Sequence, residues 1–175
     1  MALIPAGSFA MGDSKNEPEN WMERSRPIHK VQLDAFYMDI HEVTVGQFRN
    51  FVELSGYQYD GDWDDIAKFS PGKDFPMVQV SWNDATAYAK WSGKRLPTEA
   101  EWEAACCCTS QENELISSKT RKYPWGRGGI TRDVANVGMR HMELLDVDEL
   151  PAGDSYFGVR QMIGNCWEWT ASMFL

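Results

Sequence analysis

The chain has 175 residues, 43 % hydrophobic and 25 % charged, which supplies a core and argues against disorder. Its 26 acidic and 17 basic side chains give a formal charge of -9, which repels phosphate backbones and excludes nucleic acid as the expected partner. No apolar run approaches the ~20 residues of a membrane span, and the start lacks a basic, apolar leader, so a soluble cytoplasmic product with no membrane partner is expected.

In chain order, Leu3-Ile4 and Ser8-Phe9-Ala10-Met11 flank the turn tripeptide Pro5-Ala6-Gly7 and read as a short hairpin. Residues 13–27 are polar and broken by Pro18 and Pro27, an exposed loop. Val31, Leu33 and Ala35 alternate with polar neighbours, so residues 29–40 read as extended strand. Thr44 with Gln47 forms a capping box, followed by Phe48, Phe51 and Val52 on one helical face and ended by Gly56. Residues 57–74 read mostly as loop and residues 76–80 as a short strand.

Ser81 and Asp84 open a second helix with Ala85, Tyr88, Ala89 and Trp91 as its buried stripe. Thr98, with Glu99 and Glu101 in the first turn, opens a third that buries Trp102 and Ala105. After Cys108 the many glycines leave the chain largely irregular. The eight Trp residues read as core filler for a loop-rich α+β domain over residues 1–175. The four cysteines, Cys106, Cys107, Cys108 and Cys166, fit neither a disulfide framework nor a zinc knuckle. Consecutive helix positions point about 100° apart, so the triplet cannot converge on one ion. It reads as inert, and Cys166 as a buried small hydrophobe.

Several strings carry a resemblance. They are Leu3-Ile4-Pro5-Ala6-Gly7-Ser8-Phe9-Ala10-Met11-Gly12, Leu33-Asp34-Ala35-Phe36-Tyr37-Met38-Asp39, Glu42-Val43-Thr44 and Val80-Ser81-Trp82. Further on stand Gly93-Lys94-Arg95-Leu96-Pro97-Thr98-Glu99-Ala100-Glu101-Trp102-Glu103, Tyr123-Pro124-Trp125-Gly126, Ala135-Asn136-Val137-Gly138 and Met162-Ile163-Gly164-Asn165-Cys166-Trp167-Glu168-Trp169-Thr170. In this order, end to end, the chain resembles the formylglycine-generating-enzyme (sulfatase-modifying-factor) domain family, also seen as the C-terminal domain of ergothioneine-type iron-dependent sulfoxide synthases.

The resemblance implies an α+β, C-type-lectin-like fold with little regular structure. It implies oxidation of a protein cysteine to formylglycine on a sulfatase-type client. The alternatives are the substrate-binding domain of a sulfoxide synthase acting on a small thiol substrate, and a non-catalytic binding module or fragment. Val43-Thr44-Val45-Gly46-Gln47-Phe48 is similar to the formylglycine branch. Leu150-Pro151-Ala152-Gly153-Asp154-Ser155 and Phe157-Gly158-Val159-Arg160-Gln161-Met162 are similar to the sulfoxide-synthase branch, which also places active-site residues near Tyr156 and Phe157.

For metals, the resemblance implies structural calcium on Gln161, Gly164, Cys166 and Glu168, and a second calcium site starting at Asn136 and the Val137 carbonyl. Asp146 and Asp148 are nearby acids for that second site. Copper, held by a cysteine pair downstream of the Trp-Glu-Trp motif, or iron, held by three histidines upstream, is expected only with segments beyond these residues. His29, His41 and His141 have no ligand spacing. The chain is therefore expected to be C-terminally incomplete, with no catalytic residues of its own, and inactive in isolation. Arg95 is expected to be structural, its guanidinium pinning loop carbonyls.

Overall fold

The computed structural model describes residues 1–12, 27–112, 114–117, 123–138, 141 and 143–173. The loop expected over residues 13–27 lies almost wholly outside them. Strands β1 (Ala2–Ile4), β2 (Gly7–Met11), β3 (His29–Leu33) and β4 (Phe36–Met38) precede helices α1 (Val45–Ser55), α2 (Trp63–Phe69), α3 (Trp82–Trp91) and α4 (Glu99–Cys107). Strands β5 (Cys108–Gln111) and β6 (Glu114–Ser117) follow, and the described residues after them are loop apart from a 3-10 turn at Pro151–Gly153. Helices beside mixed sheets make the chain α+β. Among the described residues no helix is long and apolar enough to cross a membrane.

The expected hairpin between β1 and β2 does not form. β1 pairs antiparallel with β4, while β2 enters a four-stranded sheet of order β3-β2-β6-β5. Gly7 is the hinge between them. Its φ of 154° is open to glycine, and a Cβ there would lie 2.5 Å from the Leu115 carbonyl oxygen. That bare backbone lets β6 run parallel alongside, with Leu115 N–H donating to the Ala6 carbonyl at 2.9 Å. The long strand expected over residues 29–40 is likewise split, its two halves pairing in different sheets.

The expected capping boxes at Thr44 with Gln47 and Thr98 with Glu101 are present, and the expected Ser81 cap forms a further box with Asp84. Residues 57–74 contain α2, whose Asp62 side chain caps the N–H groups of Asp64 and Asp65. Residues 76–80 are not a strand. Carbonyls just before them bond the spare N–H groups of α1, Phe75 to Val45 and Lys73 to Gly46, and the segment joins Thr44 through one bridge at Pro76.

Two apolar clusters form. Ile4, Phe9, Leu115, Val159 and Met162 pack on α4, where Ala104 and Ala105 are fully buried and let the helix sit close to the sheet. Val45, Phe48, Phe51, Ile66, Met77 and Tyr88 form the second among α1, α2 and α3. Contrary to the expectation of core filler, none of the seven described tryptophans is fully buried. Trp91, expected in the α3 stripe, is 43 % exposed. Several instead use the indole N–H to stitch loops: Trp82 to the Thr170 carbonyl and Trp169 to that of Val80, both at 2.9 Å.

Candidate functional site

Between the two clusters lies a cavity of about 410 Å³. Its wall includes Phe48, Met77 and Tyr88 from one cluster and Val159 and Met162 from the other, with Trp102, Trp167 and Trp169 adding aromatic surface. Two carboxylates, Glu42 and Glu168, line it together with Cys166.

Glu42 stands just ahead of α1. The Val43 carbonyl accepts from Met77 N–H at 2.7 Å and Thr44 caps the helix, so the backbone behind the carboxylate is fixed. Glu42 Oε1 accepts from Asn165 Nδ2 at 3.0 Å, and the Cys166 thiol lies 4.0 Å from the same oxygen. Glu42 Oε2 is shielded from water and has no hydrogen-bond partner among the described residues. Burial pushes the Glu42 carboxyl above its ordinary value, against the opposing influence of Asn165 and His41.

Glu168 reaches the cavity from the loop after Met162. That loop is tied down by the Trp169 and Trp82 bonds and by Ala171 N–H donating to the Pro97 carbonyl at 2.7 Å. Its Oε2 accepts from the Trp102 indole at 2.8 Å. Protein surrounds the carboxylate on most sides, yet the residue is accessible to water entering the cavity. Burial, and to a lesser degree the Glu42 charge, pushes it up to about 7, while the Trp102 bond opposes the rise.

The other charges of the wall are neutralised. Lys94 Nζ donates to both Asp39 oxygens at 2.8 Å, Arg160 pairs with Asp148, and Arg95 makes a two-pronged bond to Glu101. Arg95 also reaches the Leu96 carbonyl at 3.2 Å. It is structural as expected, though through a helix-capping carboxylate more than through loop carbonyls. Among the described residues Glu42 and Glu168 have no cationic side chain in salt-bridge range, so the cavity holds two acids within aromatic walls, and burial disfavours their charged forms until a cation is present. Such a space favours a cation.

The six residues tied to calcium are placed in two neighbourhoods. Cys166 and Glu168 face the cavity. Asn136 and Gly164 meet at the loop weave, where a Cβ on Gly164 would lie 2.4 Å from the Asn136 carbonyl oxygen. Asn136 Nδ2 donates to the Glu143 carbonyl, and Val137 packs against the same glycine. Gln161 is buried, its Nε2 donating to the Asp146 carbonyl at 2.9 Å. The oxygens expected to hold calcium are thus divided between two neighbourhoods.

Copper and iron do not fit. Among the described residues no group of three His, Cys, Asp or Glu side chains is placed to hold a metal ion. His29, His41 and His141 each bond a different backbone carbonyl, at Pro27, Glu42 and Arg132. All four cysteines are free. Cys106 and Cys108 are buried, and burial pushes the Cys108 thiol up to about 12, which keeps it protonated and inert. Cys166 is half-buried against Glu42 rather than packed as a plain hydrophobe.

Glu42 is the residue that the sequence did not single out. Its only signal is its place in the Glu42-Val43-Thr44 string, because the partner carboxylate lies in a motif at the other end of the chain.

The family model of the sulfatase-modifying factor enzyme 1-like domain matches residues 1–175. The chain is 32 % identical to a hercynine oxygenase of Mycolicibacterium smegmatis over 97 % of this chain and 45 % of that protein. It is 33 % identical to a hercynine oxygenase of Mycolicibacterium thermoresistibile over 97 % of this chain and 43 % of that protein. It is also 30 % identical to the formylglycine-generating enzyme of Bos taurus over 98 % of this chain and 57 % of that protein. The chain thus spans about half the length of the curated relatives it matches.

Proposed function

The chain belongs to the sulfatase-modifying factor enzyme 1-like domain family, and from that premise we propose that it forms the substrate-recognising part of a sulfur-modifying enzyme whose cavity takes the quaternary ammonium group of a small betaine of the hercynine type. The observation that carries this reading is the pair of carboxylates, Glu42 and Glu168, left without a cationic partner inside aromatic walls. Hercynine is a betaine with a quaternary ammonium group, which pairs with carboxylates and with the faces of Trp and Tyr. The finer fold assignment, a C-type-lectin-like variant, belongs to the same proposal.

The residues present would bind and orient. Glu42 and Glu168 hold the cation, Trp102 keeps Glu168 turned into the cavity, and the apolar wall excludes water from the rest of the ligand. Oxygen activation by copper or iron has no ligand set among the described residues, so no step is assigned to either metal. Calcium, if bound at Glu168 with the backbone oxygens of Gly164 and Cys166 and with Gln161, would neutralise the same carboxylate and compete with an organic cation.

A second reading, formylglycine generation on a sulfatase-type client, is favoured by the rim of the cavity. Trp167, which lines the cavity, is fully exposed, an apolar surface of the kind a polypeptide covers. Calorimetric titration separates the readings: hercynine and a cysteine-containing sulfatase-type peptide are each added, with calcium chloride and with chelator. Hercynine binding that weakens in calcium and falls about tenfold in Glu42→Gln supports the first. Peptide binding alone supports the second. Binding of neither leaves a non-catalytic module and ends both.

A further inference from the structure

Asn165 stands at φ 57°, the left-handed region that excludes most side chains but admits glycine and asparagine. Its backbone N–H donates to the Asn136 carbonyl at 3.0 Å. Its Oδ1 accepts from Leu145 N–H at 2.9 Å and from Asn136 Nδ2 at 3.2 Å, and its Nδ2 donates to the Leu145 carbonyl at 3.2 Å. Leu145 N–H can only donate and its carbonyl can only accept, so the orientation of the Asn165 amide is fixed by backbone groups. One hydrogen remains, and it goes to Glu42 Oε1 at 3.0 Å.

All four hydrogen-bonding capacities of the amide are therefore used, three on the loop weave and one on the cavity carboxylate. Among the described residues the other side-chain contact of Glu42 Oε1 is the Cys166 sulfur, too distant at 4.0 Å and too weak a donor to orient a carboxylate. Among the described residues Glu42 Oε2 has no hydrogen-bond partner. We infer that Asn165 is a positioning residue for ligand recognition: by claiming Oε1 it sets the Glu42 carboxylate so that Oε2 is the oxygen left for a bound donor. A carboxylate oxygen shielded from water and unbonded is costly, and a cationic or hydrogen-donating ligand relieves that cost. Glycine would satisfy the backbone here equally well, so the conformation alone does not account for the bonds that the side chain makes.

This inference rests on the reading of the cavity as a cation site, and its test has two arms. The first is a double-mutant cycle on hercynine affinity. Asn165→Gly keeps the backbone conformation and removes every side-chain bond, and Asn165→Asp keeps both acceptor bonds while losing the donors to Glu42 and to the Leu145 carbonyl. Either variant is expected to weaken hercynine binding about five- to tenfold in the wild-type background and to change it less than about twofold when Glu42 is already Gln. Equal losses in both backgrounds would mean that Asn165 acts on the fold and not through Glu42, and would overturn the assignment. Asn165→Asp decides the same comparison if the glycine variant does not fold.

The second arm is the crystal structure of the variant that folds. The expected result is a Glu42 carboxylate turned from its wild-type rotamer within an otherwise unchanged cavity. An unmoved Glu42 overturns the inference. If wild-type protein binds no hercynine, the cation reading fails, and this second arm still decides whether Asn165 sets Glu42.

Discussion

Around α1 and α3 the structure is held by buried aromatic faces, whereas residues 131–165 are held by side chains bonded to backbone. In the first region Phe48 and Phe51 meet edge to face at 5.3 Å, and Tyr88 packs on both at 6.0 and 5.7 Å. In the second, Asn136, Gln161 and Asn165 supply donors and acceptors to carbonyls and N–H groups that no sheet or helix satisfies. Aromatic packing tolerates small shifts because it is not directional, while a hydrogen-bonded weave fails when one group moves by a fraction of an ångström. The cavity uses both: its walls come from the packed region and its neighbours, and the placement of its acid Glu42 comes from the weave.

The comparison is tested most severely by removing Phe51, which is 2 % exposed and does not line the cavity. Phe51→Ala is expected to cost about 3–5 kcal/mol in urea unfolding, yet the fraction that remains folded should keep hercynine affinity within about twofold. A large loss of affinity in folded protein would show that the two regions are not separable.

Gly164→Ala attacks the weave instead. At φ 93° the added Cβ would be strained and would strike the Asn136 carbonyl at 2.4 Å. It is expected to cost about 2 kcal/mol and, unlike Phe51→Ala, to weaken ligand binding as well, because it displaces the residue beside Asn165. Thermal melts and calorimetry on the same samples check both parts.

Thr98→Ala removes one half of the α4 capping box and is expected to cost about 1 kcal/mol, with binding unchanged. The smallest effect is a pH-dependent one. The Arg95 guanidinium holds the Glu101 carboxyl below its usual 4.5, so this pair adds stability that is fully present above that value and lost as pH falls through the lower folded value. Glu101→Gln, which still serves the capping box, should therefore be less stable than wild type at about pH 7, by a margin that is smaller at an acidic pH below the usual carboxyl value. Parallel unfolding curves at the two pH values would remove Arg95–Glu101 as a stabilising pair.

Local chemistry was legible in the sequence and distant pairing was not. Thr44, Ser81 and Thr98 announce their helices because a capping box needs only three residues of context. α2 carries a similar signal in Asp62, Asp64 and Asp65, hidden by the expectation of loop. The separation of β1 from β2 depends on Gly7 meeting Leu115, a contact that no local pattern encodes. Strand β5, paired with β6, begins at Cys108, the end of a triplet whose sequence reads as continuing helix.

The site follows the same division. Glu168 stands out within its tryptophan-flanked motif, while Glu42 gains meaning only when Asn165 and Cys166 arrive beside it. Neither the meeting of two acids in the cavity nor the neutralisation of Lys94, Arg95 and Arg160 can be read from a net charge of -9.

The most direct measurement is the crystal structure of the wild-type chain grown with saturating hercynine. The expected result is the quaternary ammonium group seated in the cavity within salt-bridge distance, about 4 Å, of the Glu42 or Glu168 carboxylate and against the indole of a wall tryptophan. Hercynine bound elsewhere, or a cavity that stays free of it at saturation, would contradict the assignment of this acid-lined space as a cation site.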